Sequence, residues 1–276
     1  MRAQRTRPWI AAPALLAVLA AACGTRDDPV GSSAADASDV LVRQRVRVLE
    51  EVGHDPAAYT QGLELRGGRL YESTGRFGRS TVAVGPPGQP PAVRVRLPDT
   101  WFGEGVTVVG TRLWQLTWRN GVAVERDART LEEIRRVRYP GEGWGICHQP
   151  ARQRLVTSDG SAWLTFRDPR TLAATGRVRV TEPGGGDRPV HRLNELECVG
   201  DSVYANVYGS PRIVRVDADT GRVTALIDAS ALVAASAGAG VLNGIAALPG
   251  GTEFWLTGKN WPKLFRVRFE GPQDRP

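Results

Sequence analysis

Histidine is scarce in this chain, with His54, His148 and His191 the three present in 276 residues. They show no metal-ligand spacing, which argues against a catalytic zinc centre. Cysteine is as sparse, with Cys23, Cys147 and Cys198 only, and these lack an activating partner for nucleophilic work. No G-x-S-x-G elbow and no phosphate-cradling glycine loop occurs, so serine acyl transfer and nucleotide chemistry are without their parts. Basic residues do not cluster with stacking aromatics as a nucleic-acid groove requires. The apolar stretch Ala11 to Ala22 is too short to span a bilayer as a mature helix.

That stretch follows Arg2, Arg5 and Arg7 and has the form of an export signal. Leu19-Ala20-Ala21-Ala22-Cys23 resembles a bacterial lipobox, with Ala20 where Leu is more usual, which would make Cys23 a lipidated N-terminus. The plainer alternative is an ordinary secretory signal cleaved after a small residue. Residues 1–22 are therefore expected as a lipoprotein signal peptide and 23–42 as a flexible polar tether. Gly24 after the cysteine favours outer-membrane sorting in a cell with two membranes. The expected place of work is outside the cytoplasm, lipid-anchored to a bacterial cell envelope. Losing the three leader arginines lowers the formal charge from +7 to +4. The remaining arginines alternate with Val, Leu or Ile, as on the solvated face of edge strands.

The rest of the chain is rich in Gly (32) and Pro (19), the punctuation of many tight turns. Five times a short strand-like phrase with a polar or aromatic residue in a fixed slot is followed by a second. The slots are Gln61, Glu104, Trp144, Asn194 and Asn243, at steps of 43, 40, 50 and 49 residues. A period of 40–50 residues with several short strands per unit marks a β-propeller. A third strand follows in every unit and a fourth in all but the last, which runs out of chain after Phe269. The N-terminal strand Gln44 to Val52 is expected to close that last blade. The expected architecture is all-β, a five-bladed propeller over residues 43–272.

First strands line the axis of a propeller, so the five slots face one another. A second ring falls 14 or 16 residues later at Gly75, Trp118, Gly160, Tyr208 and Lys259. Apolar walls with a few convergent polar groups are the composition of a small-ligand site. Glu104, between Gly103 and Gly105, would be partly desolvated by Trp118 and Trp144, raising its pKa toward neutrality. Lys259, or Lys263 beyond Trp261 and Pro262, would supply a cation for a carbonyl or oxyanion. The plainer roles are packing for the aromatics, and backbone satisfaction for Asn194, Asn243, Asp159, Glu195 and Glu197. Cys147 and Cys198 lie three and four residues past their slots. Alternation points them to opposite faces, so two separately buried small side chains are expected rather than a disulfide.

Several phrases together resemble the plant and bacterial glutaminyl-peptide cyclotransferase (glutamine cyclotransferase) family. They run from His54-Asp55-Pro56 and Tyr59-Thr60-Gln61-Gly62, through Phe102-Gly103-Glu104-Gly105 and Gly141-Glu142-Gly143-Trp144-Gly145. Leu193-Asn194-Glu195, Leu242-Asn243-Gly244 and Thr257-Gly258-Lys259 complete the series. The resemblance implies a five-bladed propeller, unrelated to the zinc-dependent animal type, that converts N-terminal glutamine to pyroglutamate and releases ammonia. It implies Glu104 as general acid/base, Gln61, Trp118, Trp144 and Asn194 in the pocket, and a lysine from Lys259 or Lys263. Lys259 is expected as the catalytic cation, with Tyr208, Asn243 and Lys263 as further substrate-binding residues. Tyr208 stands where the family pattern has Trp. No catalytic metal or cofactor is expected, a structural cation in the axial channel remaining open. The expected partner is a peptide or protein with N-terminal Gln, bound by a monomer, with no nucleic acid. The competing reading is a non-catalytic binding propeller; a third is a hydrolase or lyase on another small substrate.

Overall fold

The structure, a computed structural model, describes residues 41–271 apart from Gly185 and Ala237. The signal segment, Cys23 and nearly all of the tether lie outside the described residues. The strands form three sheets of four, one of eight, and a two-stranded ribbon pairing Thr181–Glu182 with Arg188–Pro189. The eight-stranded sheet is two groups of four spliced edge to edge, so five blades result. Their innermost strands are Thr60–Arg66, Gly103–Val109, Ile146–Gln149, Leu193–Val199 and Leu242–Ala247. Each of the five packs against the next, and the fifth packs against the first, which closes the ring.

Burial follows position in the blade. The innermost strand of blade 2, GEGVTVV, is buried over all but its last residue. The outermost strand of the same blade, EIRRVR, is exposed at all but one position. Arginines on outer strands keep these edges in water and unpaired with other chains. Three blades turn into that outer strand identically. Oδ1 of Asp127, Asp168 or Asp217 accepts the backbone N–H groups two and three residues on, as an Asx turn does.

The N-terminal strand closes the last blade as expected, and it does more. Val42–Gly53 runs antiparallel to Lys263–Glu270 of blade 5. Its first residues also pair in parallel with Ala225–Asp228, the outer edge of blade 4. One strand therefore caps both blades' free edges and splices them into the eight-stranded sheet.

Three of the five junctions between neighbouring blades share one geometry. The side chain three residues past one slot reaches the residue four past the next. Glu64 of blade 1 accepts the N–H of Val108 in blade 2 (2.9 Å), and Glu197 of blade 4 accepts that of Ala247 in blade 5 (3.1 Å). Cys147 and Cys198 occupy the same two positions in blades 3 and 4, and they form a disulfide with Cα atoms 5.4 Å apart. The expectation of two unpaired cysteines is thus corrected. Opposite faces do keep residues apart within one sheet. Stacked blades, however, present the right face of one to the left face of the next, so opposite phase is the condition for contact.

The bridge closes a chain segment with a sequence separation of 51 residues, for which loop-closure entropy predicts about 4 kcal/mol of stabilisation. The double variant Cys147→Ala/Cys198→Ala is expected to unfold at markedly lower urea, with a denaturant slope equal to or steeper than the parent's because its unfolded chain is less constrained. An unchanged midpoint would refute the bridge.

Candidate active site

The five slot residues converge as the repeat requires. Gln61, Glu104, Asn194 and Asn243 are all buried at the axis. Asn243 Nδ2 donates to Gln61 Oε1 (3.3 Å) and to the Thr60 carbonyl (3.0 Å). Gln61 Nε2 in turn donates to Glu104 Oε1 (2.9 Å). A chain of directed bonds from blade 5 through blade 1 to blade 2 therefore fixes the Glu104 carboxyl. Asn194 holds the ring elsewhere, its main-chain carbonyl accepting from Ser158 Oγ (2.6 Å).

The second ring is set by hairpin register. The N–H groups of Gly75, Trp118, Tyr208 and Lys259 donate to the carbonyls of Tyr59, Phe102, Arg192 and Val241, at 2.9–3.0 Å. Its two glycines are floors for aromatic rings. A Cβ on Gly75 would overlap the Phe102 ring, and one on Gly160 would lie 2.7 Å from Trp144. Small residues here let the rings lie flat against backbone and line the pocket.

Burial governs the titrating groups. Glu104 is 4% exposed, and its pKa is raised well above the ordinary carboxylate value by desolvation; Lys259 opposes the rise and Glu142 adds to it. Lys259, also 4% exposed, is lowered to about 8 by desolvation, with Glu104 pulling the other way. Its ammonium sits between two phenol rings, 4.9 Å from the Tyr59 centroid and 5.0 Å from that of Tyr208, a cation–π clamp. Tyr208 also meets Trp144 edge to face at 5.9 Å. Tyrosine in the place of tryptophan thus still packs and still faces the cation.

The structure does not bring Lys263 to this cluster. Its Nζ pairs with Glu51 Oε2 (2.6 Å) on the N-terminal strand, where both side chains are exposed. Of the two candidate lysines, only Lys259 lies in the pocket.

Glu142 was not among the sequence-predicted residues, yet it organises one wall. Its Oε2 accepts both indole N–H groups, from Trp118 (2.7 Å) and Trp144 (3.0 Å), while Oε1 accepts from Arg119 Nε (2.7 Å). Burial works against its charge, but the bonds from Trp144, Arg119 and Trp118 hold its pKa below the ordinary value. The signal was available in the repeat. Two residues before each slot stand Tyr59, Phe102, Glu142, Arg192 and Val241, a third ring at the mouth.

Two buried polar atoms beside the slots have no protein partner, Asn243 Oδ1 and Asn206 Nδ2. A buried polar group without a protein partner is costly and calls for a physical reason. A hollow of about 610 Å³ lies at the far end of the axis, lined by Glu64, His148 and Glu197 among others. Volume is a poorer guide here than chemistry, because among the described residues the slot end combines a buried acid, a buried cation and aromatic rings.

A closed propeller with that combination at its mouth has the composition of a small-ligand site. The chain belongs to the glutamine cyclotransferase family, whose model matches residues 16–269. It is 34% identical over 249 residues to the glutaminyl-peptide cyclotransferase of Arabidopsis thaliana, covering 87% of this chain and 76% of that protein. Among solved structures it is similar to the glutaminyl cyclase of Myxococcus xanthus. There the TM-score is 0.77 at 39% identity, over 84% of this chain and 99% of the other.

Glu142→Ala would leave two indole N–H groups without their acceptor. The expected result is easier acrylamide quenching of tryptophan fluorescence and a loss of about 1 kcal/mol in unfolding free energy. Unchanged quenching would show that the indoles are held by packing alone.

Proposed function

We propose that the protein is a glutaminyl-peptide cyclotransferase, closing an N-terminal glutaminyl residue to pyroglutamate with release of ammonia. The observation that carries this reading is the confinement of Glu104 and Lys259 in one pocket, each pushed by burial toward its neutral form. A carboxyl whose proton affinity burial has raised is a stronger base toward a substrate amine, and a lysine held near 8 titrates within the working range.

The α-amine of the substrate attacks Cδ of its own side chain, forming the lactam C–N bond. Both reacting groups belong to one residue, so the site needs only to hold that side chain curled. The Glu104 carboxylate takes the proton from the attacking nitrogen and delivers it to the departing Nε2, which leaves as ammonia. Gln61 keeps the carboxyl aimed, since its N–H is already bound to Oε1. The oxyanion is held by the Lys259 ammonium. Trp118 and Trp144 supply walls rather than donors, because Glu142 already engages both of their N–H groups. Asn243 Oδ1 accepts from a substrate N–H, as its unpaired state allows. The ring is complete within one chain, which fits a monomer.

We further propose that the enzyme is exported and lipid-anchored at Cys23. The Cys147–Cys198 disulfide supports an oxidising compartment. Cys23→Ser is expected to move the protein from the membrane fraction to the soluble fraction of the envelope. Membrane retention by that variant would reject the anchor.

Ammonia release is expected from a short Gln-initiated peptide, undiminished by chelator, and not from its Asn-initiated twin. Glu104→Gln should lower kcat by about 10²–10⁴-fold with KM little changed; full turnover by that variant sinks the mechanism. In the parent enzyme kcat/KM should fall as pH rises through about 8, where Lys259 loses its proton. Lys259→Arg, whose charge persists, should extend that limb to higher pH. On the acid side activity falls as Glu104 takes up a proton, above the ordinary carboxylate range. Glu142→Gln should move that limb to lower pH by removing a charge that raises Glu104. No ammonia from a folded protein would favour a binding propeller.

A further inference from the structure

We propose that Phe77 and Arg76 form a shelf at the mouth that receives the second residue of the substrate peptide and selects an apolar or aromatic side chain there. The inference rests on the cyclotransferase reading and names the substrate class of the same site.

The reaction fixes where the rest of the peptide goes. The amine and side chain of the first residue are both committed to the pocket, so the chain leaves through its carbonyl. Adjacent Cα atoms are about 3.8 Å apart, which brings the second side chain to the rim. Among the described residues the exposed large hydrophobics are Val42, Val48, Leu49, Phe77, Ile134 and Tyr208. Val42, Val48 and Leu49 lie on the N-terminal strand and Ile134 on an outermost strand, which leaves Phe77 and Tyr208 at the mouth. Tyr208 is engaged by Lys259 and Trp144. Phe77 is 57% exposed.

Phe77 is also continuous with the pocket. Its ring meets Phe102 at 5.5 Å, and Phe102 meets Trp118 at 5.6 Å and Tyr59 at 6.2 Å. An unbroken path of rings therefore runs from the substrate wall to solvent. The turn that presents Phe77 is rigid. The Arg76 carbonyl accepts from Ser80 Oγ (2.8 Å) and from the Arg79 N–H (3.0 Å), and Gly78 donates its N–H to the Asp99 carbonyl (2.8 Å). Arg76 itself holds φ at 96°, a conformation that non-glycine residues rarely keep without a use. An exposed phenyl on a fixed turn loses little entropy when it gains a partner.

Arg76 gives the shelf its polar edge. Its guanidinium lies 4.5 Å over the Tyr59 ring and one of its five donors goes to Asn260 Oδ1 (2.9 Å). A remaining N–H suits the carbonyl of the scissile residue's neighbour, and its charge disfavours a cationic second residue.

The test is kcat/KM for Gln-Phe-Ala, Gln-Gly-Ala and Gln-Lys-Ala with the parent enzyme and with Phe77→Ala. The parent is expected to favour the Phe peptide over the Gly peptide by about tenfold, with the Lys peptide below both. In Phe77→Ala the Phe-to-Gly ratio should fall below about twofold, and Phe77→Tyr should restore it. A ratio near one in the parent, or one unchanged in Phe77→Ala, overturns the shelf. The same ratio read as dissociation constants by calorimetry, on Glu104→Gln protein, separates shelf from catalysis. A tenfold ratio there without parent turnover supports the shelf and rejects the catalytic reading. Turnover by the parent with no ratio in either measurement does the reverse.

Discussion

The five innermost strands approach one another at backbone distance, and the rest of the molecule depends on that approach. The residue after the slot is glycine in four blades, Gly62, Gly105, Gly145 and Gly244. A Cβ on Gly62 would lie 2.5 Å from the Val106 nitrogen, and one on Gly105 2.7 Å from the Ile146 nitrogen. Larger residues there would push neighbouring strands apart and widen the axis. Blade 4 is the exception, with Glu195 in that place. Its carboxylate accepts the N–H groups of Leu63 in blade 1 (3.3 Å) and Ile245 in blade 5 (2.8 Å). Three blades are thereby tied at one buried side chain, close to where the ring closes.

A narrow axis has an electrostatic consequence. Slot side chains from five blades must share a volume that excludes most water, so any ionisable group among them is desolvated. Glu104 and Lys259 are displaced in opposite directions for that one reason. Their attraction restrains both displacements without cancelling either, since burial is the first cause in each case. Burial thus works against a fully charged pair at this position. The hydrogen-bond chain from Asn243 through Gln61 then gives the carboxyl a fixed direction.

Position in the repeat decided what could be read from sequence. The slots and the second ring were legible because a propeller converts equal phase into spatial proximity, and Gln61, Glu104, Trp118, Trp144, Tyr208 and Lys259 follow from phase alone. The closing strand was legible because the fifth unit lacks a fourth strand of its own. Lys263 misled because its phrase matches while its phase does not; four residues past Lys259 it begins the next strand outward. Glu142 and Tyr59 went unread because they precede the slots, in positions that look like turn. The disulfide was misjudged for a different reason. Alternation was applied within one sheet, whereas Cys147 and Cys198 meet between two, where phase relations invert.

The third ring explains how a rigid scaffold can hold a selective mouth. Tyr59, Phe102, Glu142 and Arg192 stand where each chain enters its innermost strand, and three of them set the second ring through main-chain bonds. Their side chains are thereby free to differ from blade to blade while the backbone stays the same. Glu142 spends that freedom on orienting two indoles, Tyr59 on facing a lysine, and Phe102 on linking the pocket to Phe77. Chemistry is thus assigned to the buried slots, where desolvation is unavoidable, and selection to the mouth, where side chains can change without disturbing closure. Arg76 follows the same division. Its strained turn lies one residue beyond Gly75, outside every strand, so the cost of its conformation falls on a loop and not on the ring.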